Sequence, residues 1–195
     1  NRDDRPRLWW MSMDDELLGA AAAALIDAGP HALSLRRIAE AAGTSTQAVY
    51  TRFGGKAGLA DALYLQGFEA LAQAMAAVEL PHDPVERIVS LSAVYRRVAL
   101  DRPHHYALMT GRPIPDYVPP AASLRAARQT LQPLVEAVAA AVDTGVLDGD
   151  PEQVAHRFWA VGHGRLSLEI NGFLPVDDTE YEQLCRHVID GHRPP

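Results

Sequence analysis

The sequence predicts an all-α protein of about nine helices. Apolar side chains recur at spacings of three and four residues along most of the chain, which is the period of a helix with one buried face. Alternating runs of β-branched and aromatic residues, which indicate strands, are nearly absent, and alanine is abundant. Glycine and proline interrupt the periodic segments where helices would end. These observations together favour helices joined by short breaks over any sheet.

The first four predicted helices follow one another closely. Ser34 and Ser45 are the expected N-caps of the second and third, because a serine oxygen can accept a hydrogen bond from a free N–H group at a helix start. Gly43 is the expected left-handed stop between them, and Gly54-Gly55 breaks the chain after the third. The predicted ranges are 14–28, 35–42, 46–53 and 56–78.

The remaining predicted helices follow a linker at residues 81–84, which contains two prolines. Four prolines within residues 111–120 exclude a regular helix there. Pro133 predicts a kink or a split in the seventh helix, because proline lacks the N–H group that a helix interior uses. The predicted ranges are 85–100, 103–109, 122–144, 151–171 and 179–189.

Composition limits the class of protein. With 195 residues, 48% hydrophobic and 22% charged, the chain can bury a sizeable core. No apolar run approaches the roughly 20 residues of a membrane span, and residues 1–10 contain no apolar signal core. The only cysteine, Cys185, cannot form an intramolecular disulfide, and we expect a buried, inert thiol rather than a crosslink between subunits. We therefore expect a cytoplasmic protein with no membrane association.

Charge is distributed unevenly. The net charge of −7 argues against a general nucleic-acid coat. Residues 30–60 nevertheless hold four basic side chains against one acidic side chain, whereas residues 61–195 hold 11 arginines against 18 acids. A basic module on an acidic body can bind DNA in one orientation while the body repels the phosphates.

The segment 32–64 carries the strongest functional signal. Ile38, Ala41, Val49 and Phe53 are the apolar positions that we expect to hold two short helices against the first helix. With these four inward, the polar side chains of the second short helix point outward near its N-terminal half. That is the arrangement of a helix-turn-helix, whose second helix enters the DNA major groove.

The outward side chains suit DNA chemically. Gln47 can make a bidentate contact with adenine, and Thr46 can meet a thymine methyl group. Tyr50 and Thr51 can donate hydroxyl hydrogens to phosphates, and Lys56 begins the next helix, where free N–H groups also favour an anion. The predicted DNA-binding residues are Ser34, Arg36, Ser45, Thr46, Gln47, Tyr50, Thr51, Arg52 and Lys56.

This segment resembles the N-terminal DNA-binding domain of the TetR family of transcriptional regulators. The family pattern is matched at residues 35–45 (LRRIAEAAGTS), 50–53 (YTRF) and 56–59 (KAGL). Thr44 departs from the usual apolar residue of the turn. The acidic start of the first helix, at residues 14–16, departs from the basic residues that the family often places near phosphates.

The C-terminal part carries a second resemblance. Residues 158–169, with Trp159, His163 and Gly164, resemble the WHG-type C-terminal domain of one subgroup of these regulators. The resemblance implies a DNA-binding domain at residues 1–60 and a regulatory, ligand-binding and dimerisation domain at residues 61–195. It also implies a homodimer formed through the last two helices.

The pattern of the penultimate helix agrees with that expectation. Its apolar residues fall on two faces, and a helix that is apolar all round must be covered on both sides, by its own core and by a partner. We therefore predict a homodimer interface on the helices near 151–171 and 179–189. The two predicted faces are Val154, Phe158, Val161 and Leu168, and Ala155, Trp159, Gly162, Leu166 and Ile170.

The resemblance also implies a small-molecule pocket in the regulatory domain. Such pockets are mostly apolar with a few polar groups, so the expected effector is largely apolar. For each candidate residue an ordinary place in the core is an equally good interpretation. The candidate ligand-binding residues are Tyr95, Tyr106, Met109, Trp159 and His163.

Other chemistry has little support. Adjacent His104 and His105 would point about 100° apart on a helix, so a shared metal ion is not expected. No serine or cysteine nucleophile is placed near a base, so we predict no catalytic residue, no cofactor and no metal. The sequence predicts a ligand-responsive repressor that binds an inverted-repeat operator on double-stranded DNA. The alternatives are an activator or adaptor regulated by a protein partner, and a small-molecule enzyme with a vestigial DNA-binding part.

Overall fold

In the computed structural model, the described residues (13–29, 33–111, 114 and 117–194) form ten helices and no strand, which confirms the all-α class. Within these residues, no helix is both long and apolar enough to cross a membrane. The helices in chain order are α1 (Met13–Ala28), α2 (Leu35–Ala41), α3 (Thr46–Phe53), α4 (Lys56–Ala76), α5 (Pro84–Asp101), α6 (Pro103–Thr110), α7 (Ala121–Gln129), α8 (Gln132–Asp143), α9 (Pro151–Ile170) and α10 (Asp178–Asp190).

The seventh predicted helix is two helices, α7 and α8. Thr130 and Leu131 form the turn between them, and Pro133 stands in the first turn of α8, where its missing N–H group costs nothing. The predicted split is thereby confirmed, and it accounts for ten helices in place of about nine.

Side-chain caps start several helices. The carboxylates of Asp83, Asp150 and Asp177 accept hydrogen bonds from backbone N–H groups in the first turns of α5, α9 and α10. Ser45 does the same for α3, since its hydroxyl oxygen lies 3.2 Å from the Ala48 nitrogen. Ser34 stands at the predicted N-cap position of α2, but its side chain makes no capping hydrogen bond.

The chain divides into two compact units. The first contains the described residues up to Gly67 together with His104–Ser123. In it α1 packs against α2, and α2 packs against α3. Its buried side chains include Leu17, Leu25, Ile38, Val49, Leu59, Leu63, Tyr106, Leu108, Ile114 and Tyr117.

The second unit contains Phe68–Pro103 and the described residues from Leu124 onward. Helix α5 packs against α8, α9 and α10, and α9 packs against both α8 and α10. Because the chain passes between the units after residues 67, 103 and 123, helices α4 and α7 each contribute residues to both. The boundary predicted after residue 60 concerns function and stays a prediction. The buried side chains of this unit include Ile88, Leu91, Leu134, Val138, Leu147, Val154, Phe158, Leu166 and Ile189.

Candidate nucleic-acid interface

A tight turn joins α2 to α3. Gly43 has a φ of 65°, in the left-handed region that favours glycine. The Thr44 N–H group donates to the Ala39 carbonyl oxygen over 2.9 Å, which satisfies an end group of α2. With Ser45 capping α3, the chain changes direction within four residues, as a helix-turn-helix requires.

Two of the apolar positions predicted to anchor this motif are confirmed as fully buried. Ile38 is 1% exposed and Val49 is 0% exposed. Ala41, however, is exposed, so its predicted place in the core is wrong. Ala39 and Ala42 are buried in its place. Because each residue turns a helix by about 100°, Ala41 falls on the opposite flank of Ile38 from these two alanines.

The polar face of α3 is turned to solvent. Gln47 and Thr51 are exposed, Tyr50 is 53% exposed, and Thr46 is half-buried. The Thr51 hydroxyl donates to the Gln47 carbonyl oxygen over 2.9 Å, so it is engaged within its own helix. Lys56, at the start of α4, is also exposed. This short helix therefore presents donors and acceptors along one side, as a recognition helix does.

The turn from α3 to α4 fixes the tyrosine. Phe53 ends α3 half-buried, and Gly54 and Gly55 follow with φ values of 71° and 118°. A Cβ atom on Gly55 would lie 3.1 Å from a carbon of the Tyr50 ring. The second glycine thus provides both an unusual backbone conformation and room for that ring.

Both of the predicted DNA-binding arginines form ion pairs with carboxylates. Arg36 Nε lies 3.0 Å from Glu40 Oε1, one turn along α2, and both side chains are largely exposed. Arg52, in the last turn of α3, forms an ion pair with Asp14 of α1. The acidic start of α1 is visible in the sequence, but this pair is not, because its residues are 38 positions apart. Exposed pairs of this kind are weak enough to exchange for phosphate contacts.

Arg37 and Lys56 are the exposed cations best placed to remain available. Among the described residues, neither forms an ion pair. Arg37 was absent from the sequence-based set, although its position next to Arg36 on the two-turn helix α2 could have suggested it.

Three of the five candidate ligand-binding residues come together in the second unit. Trp159 Nε1 donates to Tyr95 Oη over 3.3 Å, and the Trp159 and His163 rings lie 6.5 Å apart at 52°. Burial lowers the pKa of the His163 imidazole, which favours its neutral form. Tyr106 and Met109 belong to α6 in the first unit.

Helix α9 keeps an apolar stripe exposed. The four residues predicted to form one apolar face, Val154, Phe158, Val161 and Leu168, differ in exposure. Val154 and Phe158 are buried, whereas Val161 is 36% and Leu168 is 43% exposed. Since each residue turns the helix by about 100°, the buried face is centred near Phe158 and Gly162, and the other two residues lie beyond its edge.

An ion-pair cluster in the second unit is centred on the buried side chains of Arg96 and Glu169. Arg96 of α5 donates to Glu169 of α9 over 2.8 Å and pairs with Asp178 of α10. Arg165 also donates to Glu169 over 2.8 Å, and the Arg96 guanidinium lies 5.1 Å from the Tyr181 ring centroid. Burial would raise the pKa of Glu169, but hydrogen bonds from both arginines hold it below its ordinary value. The cluster fixes α5, α9 and α10 to one another.

Two family profiles match the chain. One, described as "Bacterial regulatory proteins, tetR family", matches residues 17–63. The other, described as "Tetracyclin repressor-like, C-terminal domain", matches residues 88–192, more than half of the chain. The WHG-type resemblance of residues 158–169 stays a prediction beside these matches. No curated protein matches the chain.

Solved structures are similar over nearly the whole length. A protein of unknown function from Rhodococcus sp. RHA1 is 26% identical with a TM-score of 0.83, over 97% of this chain and 100% of that one. The TetR family regulator PfmR from Thermus thermophilus is 21% identical with a TM-score of 0.66, over 89% and 94%. The fatty acid degradation regulator FadR from Bacillus halodurans is 15% identical with a TM-score of 0.69, over 97% and 100%. With the exposed polar helix of a helix-turn-helix and both family profiles in place, the chain belongs to the TetR family of DNA-binding transcriptional regulators.

Proposed function

We propose that the protein is a cytoplasmic, ligand-responsive repressor that binds an inverted-repeat operator as a homodimer. The observation that carries this proposal is the solvent-facing polar side of α3 on a helix anchored by the fully buried Val49. One short helix reads only a few base pairs, and two copies related by a two-fold axis read an inverted repeat. The proposed functional division is a DNA-binding domain at residues 1–60 and a regulatory domain at residues 61–195.

The proposed DNA contacts fall into three groups. Thr46 and Gln47 meet base edges, because they stand in the first turn of α3. Tyr50 and Lys56 meet phosphates, because both are exposed around the α3–α4 turn. The remaining residues support these contacts or join them after giving up a partner within the protein. They are Ser34, Arg36, Ser45, Thr51 and Arg52.

The proposed dimer forms through α9 and α10. Val161 and Leu168 leave an apolar stripe on α9, and Phe173, just beyond the helix, is 77% exposed. If a second copy of the chain covers these three side chains, each Å² of apolar surface removed from water stabilises the dimer by about 25 cal/mol. Gly164, on the same side of the helix, has no atom within 4 Å of the place where its Cβ would be, so a partner helix could approach closely.

The proposed effector site is built around Tyr95, Trp159 and His163. Two aromatic side chains and a neutral imidazole suit a largely apolar molecule with one or two polar groups. Tyr106 and Met109 remain separate ligand-binding candidates, because they belong to the first unit. Some conformations of the dimer would space the two recognition helices too far apart or too close together for the operator. A ligand that binds such a conformation more tightly would weaken operator binding, at most by the difference between its binding free energies for the two conformations.

Binding measurements with two variants test the DNA-reading role. DNA selected from a random pool by the wild-type protein serves as the ligand, with a base-substituted duplex as competitor. We expect Lys56→Ala to weaken binding to both duplexes and to reduce the salt dependence by about one phosphate contact. Gln47→Ala should instead reduce the difference in affinity between the selected duplex and the base-substituted duplex. Equal losses on both duplexes for Gln47→Ala would contradict its base-reading role.

Sedimentation equilibrium tests the dimer. Leu168→Glu places a charge on the exposed stripe of α9, and we expect it to shift the protein to monomers at micromolar concentration. Val118→Glu is the matched control, because Val118 is 62% exposed and lies in the other unit. A monomeric wild-type protein, or a Leu168→Glu variant that remains dimeric, would refute this arrangement.

A further inference from the structure

One side of α4 contacts side chains from residues 104–123, some in α6 and some in the chain that follows it. Asp61, Tyr64 and Gly67 are three residues apart, so they lie on the same side of the helix. All three belong to the first compact unit, as do residues 104–123. Each of the three meets a side chain from that segment, and the contacts therefore fix its register along α4.

Asp61 makes the most specific of these contacts. Its Oδ1 accepts a hydrogen bond from Tyr117 Oη over 2.9 Å, and its Oδ2 accepts one from Ser123 Oγ over 2.9 Å. Tyr117 is 6% exposed and Ser123 is 4% exposed, so water competes little for either hydroxyl. Hydrogen bonds to an ionised acceptor are stronger than neutral ones, and two donors fix the carboxylate's orientation. Burial and the Asp61 carboxylate raise the pKa of Tyr117, so its hydroxyl remains a donor at neutral pH.

The other two contacts lie along the same side of α4. The rings of Tyr64 and Tyr117 meet edge to face, with centroids 6.3 Å apart. A Cβ atom on Gly67 would lie 2.6 Å from Met109 Sδ, so the glycine lets α6 approach α4 closely. Ile114, between these contacts in the chain, is 2% exposed.

The beginning of α4 also touches the recognition helix. A Cβ atom on Gly58 would lie 2.8 Å from the carbonyl carbon of Phe53, the last residue of α3, and closer still to its oxygen. Asp61 follows Gly58 by three residues on the same helix. The first two turns of α4 therefore contact α3 through Gly58, and they contact Tyr117 and Ser123 through Asp61.

We propose that Asp61, Tyr117 and Ser123 form a latch that holds the start of α4, and with it the recognition helix α3, in the arrangement that binds DNA. These three are positioning residues, because none of them needs to touch the DNA. The inference rests on the proposed reading of DNA by α3. It gives residues 117–123, which lie within the proposed regulatory domain, a direct hold on the DNA-binding helices.

Loss of the latch and loss of a direct DNA contact should change the salt dependence of DNA affinity in different ways. Opening the latch lowers the fraction of protein in the binding-competent arrangement. The apparent dissociation constant then rises in inverse proportion to that fraction, by the same factor at every salt concentration. A lost phosphate contact would instead reduce the slope of affinity against salt. Parallel displacement of the salt plot therefore identifies a positioning role.

The experiment measures fluorescence anisotropy of the wild-type-selected duplex with full-length Tyr117→Phe, Ser123→Ala and Asp61→Ala variants. It is done at several salt concentrations and well below each variant's unfolding midpoint. We expect the dissociation constant to rise about tenfold for Tyr117→Phe, the equivalent of one hydrogen bond to a charged group, with an unchanged salt slope. The double variant Asp61→Ala/Tyr117→Phe should bind no more weakly than Asp61→Ala alone, because alanine, unlike asparagine, leaves no side-chain oxygen to accept from Tyr117.

Ser92→Ala is the matched control for Ser123→Ala. Ser92 is also buried, and its hydroxyl donates over 2.9 Å to the Ile88 carbonyl within α5, remote in sequence from the latch. We expect this control to bind DNA as the wild type does, even if its unfolding midpoint falls. Ser123→Ala also keeps the test decisive if Tyr117→Phe does not fold.

The outcomes are distinguishable. Latch variants that unfold at lower temperature but bind DNA with the wild-type dissociation constant would overturn the latch and leave the proposed function intact. A reduced salt slope would overturn it too, in favour of a direct DNA contact. If the wild-type protein selects no DNA, the proposed function is wrong and the latch falls with it.

Discussion

Replacement of Gly58 by alanine should separate the recognition helix from the helix that supports it. Gly58 lies in the first turn of α4, where its missing side chain lets the Phe53 carbonyl group come close. An alanine Cβ would stand 2.8 Å from the carbonyl carbon and nearer to the oxygen. The obstacle is backbone at the end of α3, which cannot rotate away as a side chain could.

The magnitude follows from two opposing effects. Alanine normally stabilises a helix interior by about 0.5–1 kcal/mol relative to glycine. Overpacking that forces backbone to shift costs about 1–3 kcal/mol, and a contact this short belongs at the upper end. We therefore expect Gly58→Ala to lose about 2 kcal/mol of unfolding free energy.

Gly19→Ala is the matched control. Gly19 is an exposed position within α1, and no atom lies within 4 Å of its Cβ position. The same substitution there should gain about 0.5–1 kcal/mol, so the two variants should differ in sign. Urea unfolding followed by circular dichroism measures both changes, and operator binding should weaken only for Gly58→Ala. A Gly58→Ala variant at least as stable as the wild type would refute the reasoning.

Three further substitutions have defined outcomes. Gly164→Ala should stabilise the α9 helix, because the position is open in the single chain. It should also weaken dimerisation, measured by sedimentation equilibrium, because the added methyl group would keep a partner helix away. Unchanged association would exclude a close helix crossing at Gly164. Asp14→Asn removes the carboxylate that Arg52 must give up on binding, so we expect tighter DNA binding with little change in the slope of affinity against salt; unchanged affinity would mean that Arg52 does not reach phosphate. Glu169→Gln leaves Arg96 buried without its full charge partner and should cost about 3–5 kcal/mol at pH 7 in urea unfolding. Because the pKa of Glu169 is depressed in the folded protein, its contribution is present at neutral pH and is lost as pH falls below about 4.5, so wild type and variant should converge in acid. Equal stability at pH 7 would show that the pair contributes nothing.

Local signals made the helix boundaries predictable. Helix α3 begins and ends at the predicted residues, Thr46 and Phe53, because a serine cap and a glycine pair fix its ends through contacts within a few residues. Pro133 marked the split between α7 and α8 for the same reason. The family resemblance of the first unit could likewise be recognised from residue spacing alone.

Contacts between distant residues could not be predicted in this way. Asp61 and Tyr117 are 56 positions apart, and Arg96 and Glu169 are 73 positions apart. Helical periodicity says which side of a helix is apolar, but it does not say which buried carboxylate will meet which donor. Ala41 shows a smaller limit, since one residue of rotation on a two-turn helix moves a side chain from the core to solvent.

Selection of bound duplexes from a random DNA pool tests the central claim most directly, which is that two copies of α3 read one operator. We expect the enriched sequences to contain an inverted repeat, and the Gln47→Ala variant to lose preference at the same base pair in each half. Enrichment of no sequence, or of a single half-site bound by one copy of the chain, would contradict the account.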